Sequence, residues 1–225
     1  MGTISEVFFN VEVLVRYWDV ILNGLWVTVQ VALLTVVLGI SGGLVFAVLK
    51  CSRTVVVDIA FAVFVDIFRT IPILVILFLV YFALPYGGIR LSPLVTTVAT
   101  LSLVLTAYSA ETFWAAIEAI PRGQTDAARA LNIGALSTIA FIVLPQAIRM
   151  SIPLLTNRAI AITKGTALGA AVALPELLGS AQSAMSIAAN PTPLMLAAVL
   201  YILFFIPLVL LSRWLERRST RQRRA

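Results

Sequence analysis

Histidine is absent from the sequence and cysteine occurs once, at Cys51, which excludes metal sites built on His or paired Cys and any internal disulfide. Charge is scarce too: 12% of the 225 residues are Asp, Glu, Lys or Arg, against about a quarter in a soluble domain. No G-x-x-x-x-G-K-[ST] phosphate loop occurs, so the chain does not bind ATP in that manner. "TKGTA", residues 163–167, has a lysine and a threonine but no glycine-rich loop before them. Without histidine or a close pair of intramembrane carboxylates, an enzyme embedded in the membrane lacks its convergent catalytic set. Residues 1–20 carry Glu6, Glu12, Arg16 and Asp19 and no apolar run, so no cleavable signal is expected there.

What the chain does have is apolar length. Hydrophobic residues make up 61% and the mean hydropathy is +1.05, which predicts an all-α integral membrane protein. Each span needs about 20 apolar residues to cross roughly 30 Å of hydrocarbon. Five runs qualify: Ile21 to Leu49, Val55 to Leu84, Pro93 to Ala119, Leu144 to Leu174 and Pro193 to Trp214. The second is too long to cross without tilt or an interfacial lead-in, and its cleaner half is "IPILVILFLVYFALP". With the N-terminus outside and the C-terminus in the cytoplasm, eleven basic residues face inward (Lys50, Arg53, Arg122, Arg129, Arg149 and six tail arginines), against Arg16 and Arg90 outside. Residues 1–20 are then a periplasmic segment, 21–214 the transmembrane domain and 215–225 a basic cytoplasmic tail. The net charge of +6 is concentrated in that tail, beside membrane lipid, with no groove-reading motif to suggest nucleic acid.

Small residues recur at four-residue spacing, at Gly39, Gly43 and Ala47 and at Ala161, Gly165, Gly169 and Ala173. Such rows serve close helix packing within one subunit or an interface between subunits. Ionisable groups in the spans are costly enough to face a cavity or a partner. Tyr108, Glu111 and Glu118 share a face, and Glu111 suits either a substrate ammonium or a basic neighbour. Asn157, Arg158, Thr163, Lys164 and Thr166 make the fourth span too polar for lipid, as a wall of a translocation path or a set of inter-subunit salt bridges. Gly165 and Gly169 would permit a local break there, and Lys164 would suit a substrate carboxylate. Arg69 and Asp66, three apart, can pair structurally.

Between the third and fourth spans, "PRGQTDAARALNIGALSTIAFIVLPQA" interrupts the apolar pattern. A short helix capped by Gly123 or Thr125 would run to about Leu131 and stop at Asn132 to Gly134. Two turns do not persist alone, so contacts must hold it. Ala127, Ala128 and Leu131 form a small knob on one face, flanked by Asp126 and Arg129.

Asp126-Ala127-Ala128, then Gly134, then Ile-Val-Leu144-Pro145 resembles the EAA loop of bacterial ABC importer permeases, with Asp for the usual Glu and Asn132 where the polar amino-acid branch has glycine. "NGLWVTVQVALLTVVLGISGG", "FRTIPILVILFLVYFALP", "AYSAETFWAAIEAIPRGQTDAARAL", "LPQAIRMSIPLLTNRAIAITKGTAL" and "LPELL" look like successive blocks of polar amino-acid permeases, over roughly residues 20 to 215. The resemblance implies a MetI-like permease core whose loop, 120–142, couples to an ATP-binding subunit dimer through Asp126, Ala127, Ala128, Arg129, Leu131, Gly134, Leu144 and Pro145. It also implies a second permease subunit, the same or paralogous, a periplasmic solute-binding protein, and ATP and magnesium on the partner ATPase with no cofactor here. The location implied is the bacterial inner membrane. Trp114 and Ala115 replace the family's Arg and Gly, Gly165 and Ala167 its Asp and Ser, and Arg158 a frequent acidic residue, so the resemblance implies amino-acid transport without naming the amino acid, and leaves opines and other amino-acid derivatives open. A secondary transporter working without an ATPase is the alternative, and it would be expected to show internal repeats.

Overall fold

The computed structural model describes the backbone of residues 7–222 and the side chains of residues 7–217; Glu6 and the tail arginine side chains from Arg218 onward lie outside the described residues. Every regular element among them is helical. In chain order these are α1 (Val11–Lys50), α2 (Val55–Thr70), α3 (Ile73–Phe78), α4 (Pro93–Glu118), α5 (Arg122–Ala130), α6 (Ala135–Thr138), α7 (Leu144–Thr163), α8 (Leu177–Ala188) and α9 (Thr192–Gln222). Among the described residues four helical stretches are long and apolar enough to cross a membrane, Val11–Lys50, Pro93–Glu118, Ala135–Val172 and Thr192–Arg217, and a broken pair makes up to five.

That pair is the long second run. Ile71, extended at φ −77° and ψ 130°, precedes Pro72. A residue before proline is pushed out of the α region, so the helix stops there and α3 restarts behind the proline. α3 continues through a π-helical turn, Leu79–Ala83, and a 3-10 turn, Leu84–Gly87. α1 begins at Val11 rather than Ile21. Its first turns carry exposed Glu12, Arg16 and Asp19, and Asn10 caps it by accepting from the Val13 N–H at 3.2 Å. Hydropathy marks where a helix meets lipid, not where it starts.

The chain clusters into two compact units. The first comprises the described part of Met1–Val36 with Pro72–Ser102 and Ile160–Leu210. Its core joins Ile21 of α1, Leu177 and Ala181 of α8 and Ala197 of α9. α8 was not expected from hydropathy. Its N-cap is Glu176, fully buried, whose Oε1 accepts from Gly179 N at 2.7 Å and whose Oε2 accepts from Leu178 N at 3.0 Å. Tyr201 Oη of α9 donates to Oε2 at 2.8 Å, and Thr28 Oγ1 of α1 reaches it at 3.4 Å while accepting from Leu177 N at 3.0 Å. One carboxylate thus ties three helices together.

In this unit the chain leaves the α form at Lys164. A 3-10 helix runs Lys164–Val172 and ends at Ala173, which is left-handed at φ 60°. With three residues per turn, the row Ala161, Gly165, Gly169 and Ala173 does not stay on one face: Ala161 and Ala173 are exposed, while Gly169 is buried with room for only a hydrogen beside Thr97 and Leu174.

The second unit comprises Val37–Ile71, Leu103–Ala159 and, as far as described, Leu211–Ala225. Ala47, Phe113 and Leu155 join α1, α4 and α7, and Phe61, Val65 and Ala110 join α2 to α4. Here the other row does pack within one chain. A Cβ on Gly39 would lie 2.6 Å from Leu105 Cβ, and one on Gly43 2.7 Å from the backbone nitrogen of Ala110. Glycine lets α1 and α4 meet backbone to side chain.

Candidate coupling segment and polar cluster

The polar interruption is α5. Pro121, not Gly123 or Thr125, is the N-cap residue. Proline's fixed φ suits a helix start, and Thr125 sits inside the helix with its hydroxyl donating to the Arg122 carbonyl at 2.7 Å. The end falls at Asn132, φ 57°. Ile133 N donates to Ala128 O and Asn132 N to Arg129 O, both at 2.9 Å, which is a Schellman closure. Asparagine tolerates the left-handed position glycine usually fills.

The expected knob is divided. Ala128 is 2% exposed and turned into the chain, whereas Leu131 is 74% exposed and Ala127, Asp126 and Arg129 are also exposed. One face of a helix cannot serve both as anchor and as free surface, and Ala128 is the anchor. Asp126 and Arg129 stand 3.7 Å apart with most of their side chains in the open, a contact worth a few tenths of a kcal/mol at most.

Two glutamines hold the segment. Gln146 Nε2 donates to Gln124 Oε1 at 2.6 Å and Gln124 Nε2 donates to Gln146 Oε1 at 3.2 Å, joining α5 to α7. Gln146 Nε2 also lies 2.6 Å from the Ile142 carbonyl. Gly134 starts α6, the chain passes through a π-helical turn at Ile139–Val143, and Leu144 and Pro145 open α7. Proline brings no N–H to the ladder here, where the register shifts from α to π and back. An open cleft of about 610 Å³ beside α5 is lined by Cys51, Arg53, Arg122, Thr125, Asp126 and Arg129, among others.

The second cluster surrounds Tyr108. Arg69 of α2 salt-bridges Glu111 of α4, so its partner is Glu111 rather than Asp66. The Arg69 guanidinium carbon lies 5.2 Å from the Tyr108 ring centroid and that of Arg158 lies 4.8 Å from it. Two guanidiniums thus share one aromatic ring, within cation–π range. Glu118 is exposed, outside this group. Asn157 is committed elsewhere: it donates to Glu216 and accepts from Ser212 Oγ at 2.8 Å, both on α9. In the other unit, Lys164 is exposed with its ammonium 5.8 Å from the Phe205 ring. Thr166 is fully buried. The structure therefore joins Tyr108, Glu111 and Arg158 but assigns Lys164 and Thr166 to a different unit.

Residues 39–221 match the family described as binding-protein-dependent transport system inner membrane component. The chain belongs to this family. It is a permease subunit of the ABC importer type, a multi-pass protein of the bacterial inner membrane, and its class is transport rather than catalysis. The permease is 33% identical over 216 residues to a probable glutamine ABC transporter permease, GlnP, of Bacillus subtilis, covering 94% of this chain and 97% of that protein. It is 31% identical to the L-cystine transport system permease TcyB of the same species over 74% of this chain and 71% of the relative. A solved amino acid ABC transporter crystallised with histidines superposes with a TM-score of 0.81 at 28% identity, over 91% of the permease and 96% of that chain. The MetNI methionine ABC transporter shares the fold, with a TM-score of 0.68 at 21% identity over 92% and 96%.

Glu176, Gln124 and Gln146 are the residues that spacing did not single out in the permease. Gln124 lay within the polar segment and Gln146 beside Pro145, but nothing in their separation of 22 residues signals a mutual pair. Glu176 stood in "LPELL", where an acidic residue followed by an apolar run is the available hint of a cap.

Proposed function

We propose that the permease forms half of a transmembrane pathway for a polar amino acid or an amino-acid derivative, and that α5 couples it to a separate ATP-binding subunit. The observation that carries this is α5 itself, a short helix closed at both ends and strapped to α7 by reciprocal amides, with Asp126, Ala127, Arg129 and Leu131 left outward. A helix this short gains nothing by standing free in water. Strapped to a membrane helix, it transmits a push from outside the chain. Ala128, Gly134, Leu144 and Pro145 position that lever rather than meet the partner.

In this reading the N-terminus is periplasmic, α5 and the basic tail are cytoplasmic, ATP and magnesium are bound by an ATPase dimer, and a periplasmic protein delivers the solute. A second permease subunit, identical or paralogous, completes the pathway. Tyr108, Glu111 and Arg158 line it, with Lys164 and Thr166 further along the chain. The relatives named for glutamine and cystine support an amino-acid solute.

The test is ATP-driven uptake by the permease reconstituted with its ATPase, second permease and binding protein. Asp126→Lys and Ala127→Trp alter only outward positions, so the complex should assemble, or lose the ATPase reversibly, and uptake should fall at least about tenfold, the size of a lost interface hot spot. Uptake that persists without the ATPase would return the secondary-transporter reading.

A further inference from the structure

We infer that Arg158 is the residue that selects solute by charge, and that the preferred solute carries a net negative charge, as an acidic amino acid or an amino-acid derivative with a second carboxylate does. This rests on the reading that the Tyr108 cluster lines the pathway.

Arg69, Arg158 and Glu111 meet at Tyr108. Arg69 is spent on Glu111, and Arg158 makes no ion pair among the described residues. Two guanidiniums against one carboxylate leave one positive charge, on an exposed side chain in a helix that crosses the membrane. A guanidinium does not lose its proton in a protein. Its remaining options are lipid, which is costly, or an anion. The carboxylate of Glu216 on α9 accepts from the Asn157 amide rather than pairing with Arg158.

The contact with Tyr108, 4.8 Å from guanidinium carbon to ring centroid, holds the head group through the ring face and uses none of its N–H donors. Those donors form the planar fork that matches a carboxylate. Tyr108 thereby acts as a positioning residue and Arg158 as the contact. An amino acid of neutral side chain can satisfy Arg158 with its α-carboxylate alone. A cationic side chain would add a second positive charge to a cluster that already has an excess, and an anionic one would remove that excess.

Solute-binding proteins apply their own selection, so the measurement is equilibrium binding of labelled L-glutamate, L-glutamine and L-arginine to the purified permease–ATPase complex in lipid nanodiscs, without the binding protein. ATP-driven uptake by the full importer is measured in parallel. The expected order is glutamate, then glutamine, then arginine. Arg158→Gln should erase the glutamate preference by about tenfold or more, a charge-assisted bond being worth that much. Arg158→Lys should keep part of it, and Arg158→Glu should bring arginine to the front. Tyr108→Leu should weaken glutamate binding while leaving the order intact.

Arginine preferred by the unaltered complex, an order unchanged in Arg158→Glu, binding of none of the three, or Arg158→Glu acting only by dissociating the permease pair would each overturn the inference. Those results leave the permease reading standing as long as ATP-driven uptake is present. Absence of ATP-driven uptake of any solute sinks that reading instead.

Discussion

Two carboxylates lie among the helices of this permease under opposite conditions. Glu176 is fully buried and faces three donors, two backbone N–H groups and Tyr201, with the Thr28 hydroxyl, which also reaches the Gly24 carbonyl, 3.4 Å away. Glu111 has one guanidinium, and its side chain is 46% exposed. A buried charge is tolerated when every lone pair is met, and it then becomes a fixed joint. A half-exposed pair costs little to open, since water or a solute group can replace either partner. Glu176 is therefore a fixed joint and the Glu111 pair is open on one side, and substitution at each tests whether stability and transport separate.

The largest effect is expected at Glu176. Glu176→Ala strands the Leu178 and Gly179 N–H groups and the Tyr201 hydroxyl, each roughly 1–3 kcal/mol when buried without a partner, so the loss should be about 3 kcal/mol or more. Purified yield and thermal unfolding in detergent would measure it. Glu176→Gln keeps one acceptor oxygen and should recover part of the loss. An unchanged Tm in Glu176→Ala would erase the contrast between the two sites.

At the exposed pair the expectation reverses. Glu111→Gln leaves Arg69 only an amide oxygen in place of its carboxylate and should shift unfolding by about 1–2 kcal/mol, less than the loss at Glu176, while altering uptake severalfold. The exchange Arg69→Glu with Glu111→Arg restores the pair with its polarity inverted. Recovery of stability without recovery of uptake would sharpen the comparison, and recovery of both would show Glu111 to be a joint like Glu176.

Gln124 and Gln146 fall between these extremes, polar and half-buried. Gln124→Ala removes both reciprocal hydrogen bonds and should cost about 1–2 kcal/mol, yet it should raise the ATP consumed per solute carried by loosening α5 from α7. Gln146→Ala and the double variant should give the same ratio, because both side chains make one link. Additive losses would mean two independent roles.

These contrasts also mark how far the sequence could be read. The spans were legible because their apolar runs are long, and α5 because Asp126-Ala127-Ala128 and Asn132 interrupt them. The break at Ile71–Pro72 was not placed, although the second run that it resolves was legible as too long to cross without tilt or a lead-in. α8 was not: "LLGSAQSAMSIA" is small and mixed, and what fixes it is a cap whose partners lie 148 residues back at Thr28 and 25 ahead at Tyr201. Spacing also favoured Asp66 for Arg69, since an i,i+3 pair is the local choice, but the packing of α2 on α4 supplied Glu111. Local periodicity reveals faces, whereas partners on other helices depend on how those faces meet.

The smallest effect concerns Cys51, outside the spans between α1 and α2. Its thiol is half-buried and donates to the Ala47 carbonyl at 3.5 Å. Burial pushes its pKa above the ordinary 9.0, and the nearby Arg53 charge pulls the other way without cancelling the rise. The neutral thiol is the form favoured in the fold, so its contribution to stability is complete at neutral pH. That contribution is lost only as the pH climbs through the raised value. Maleimide labelling, which needs the thiolate, should therefore be slower at pH 7 than for a solvent-exposed cysteine and should gain on it above pH 9. Arg53→Gln removes the opposing charge and should slow labelling further. Faster labelling in that variant would mean that Arg53 shields the thiol sterically, and that this half-buried site is governed by access rather than by charge.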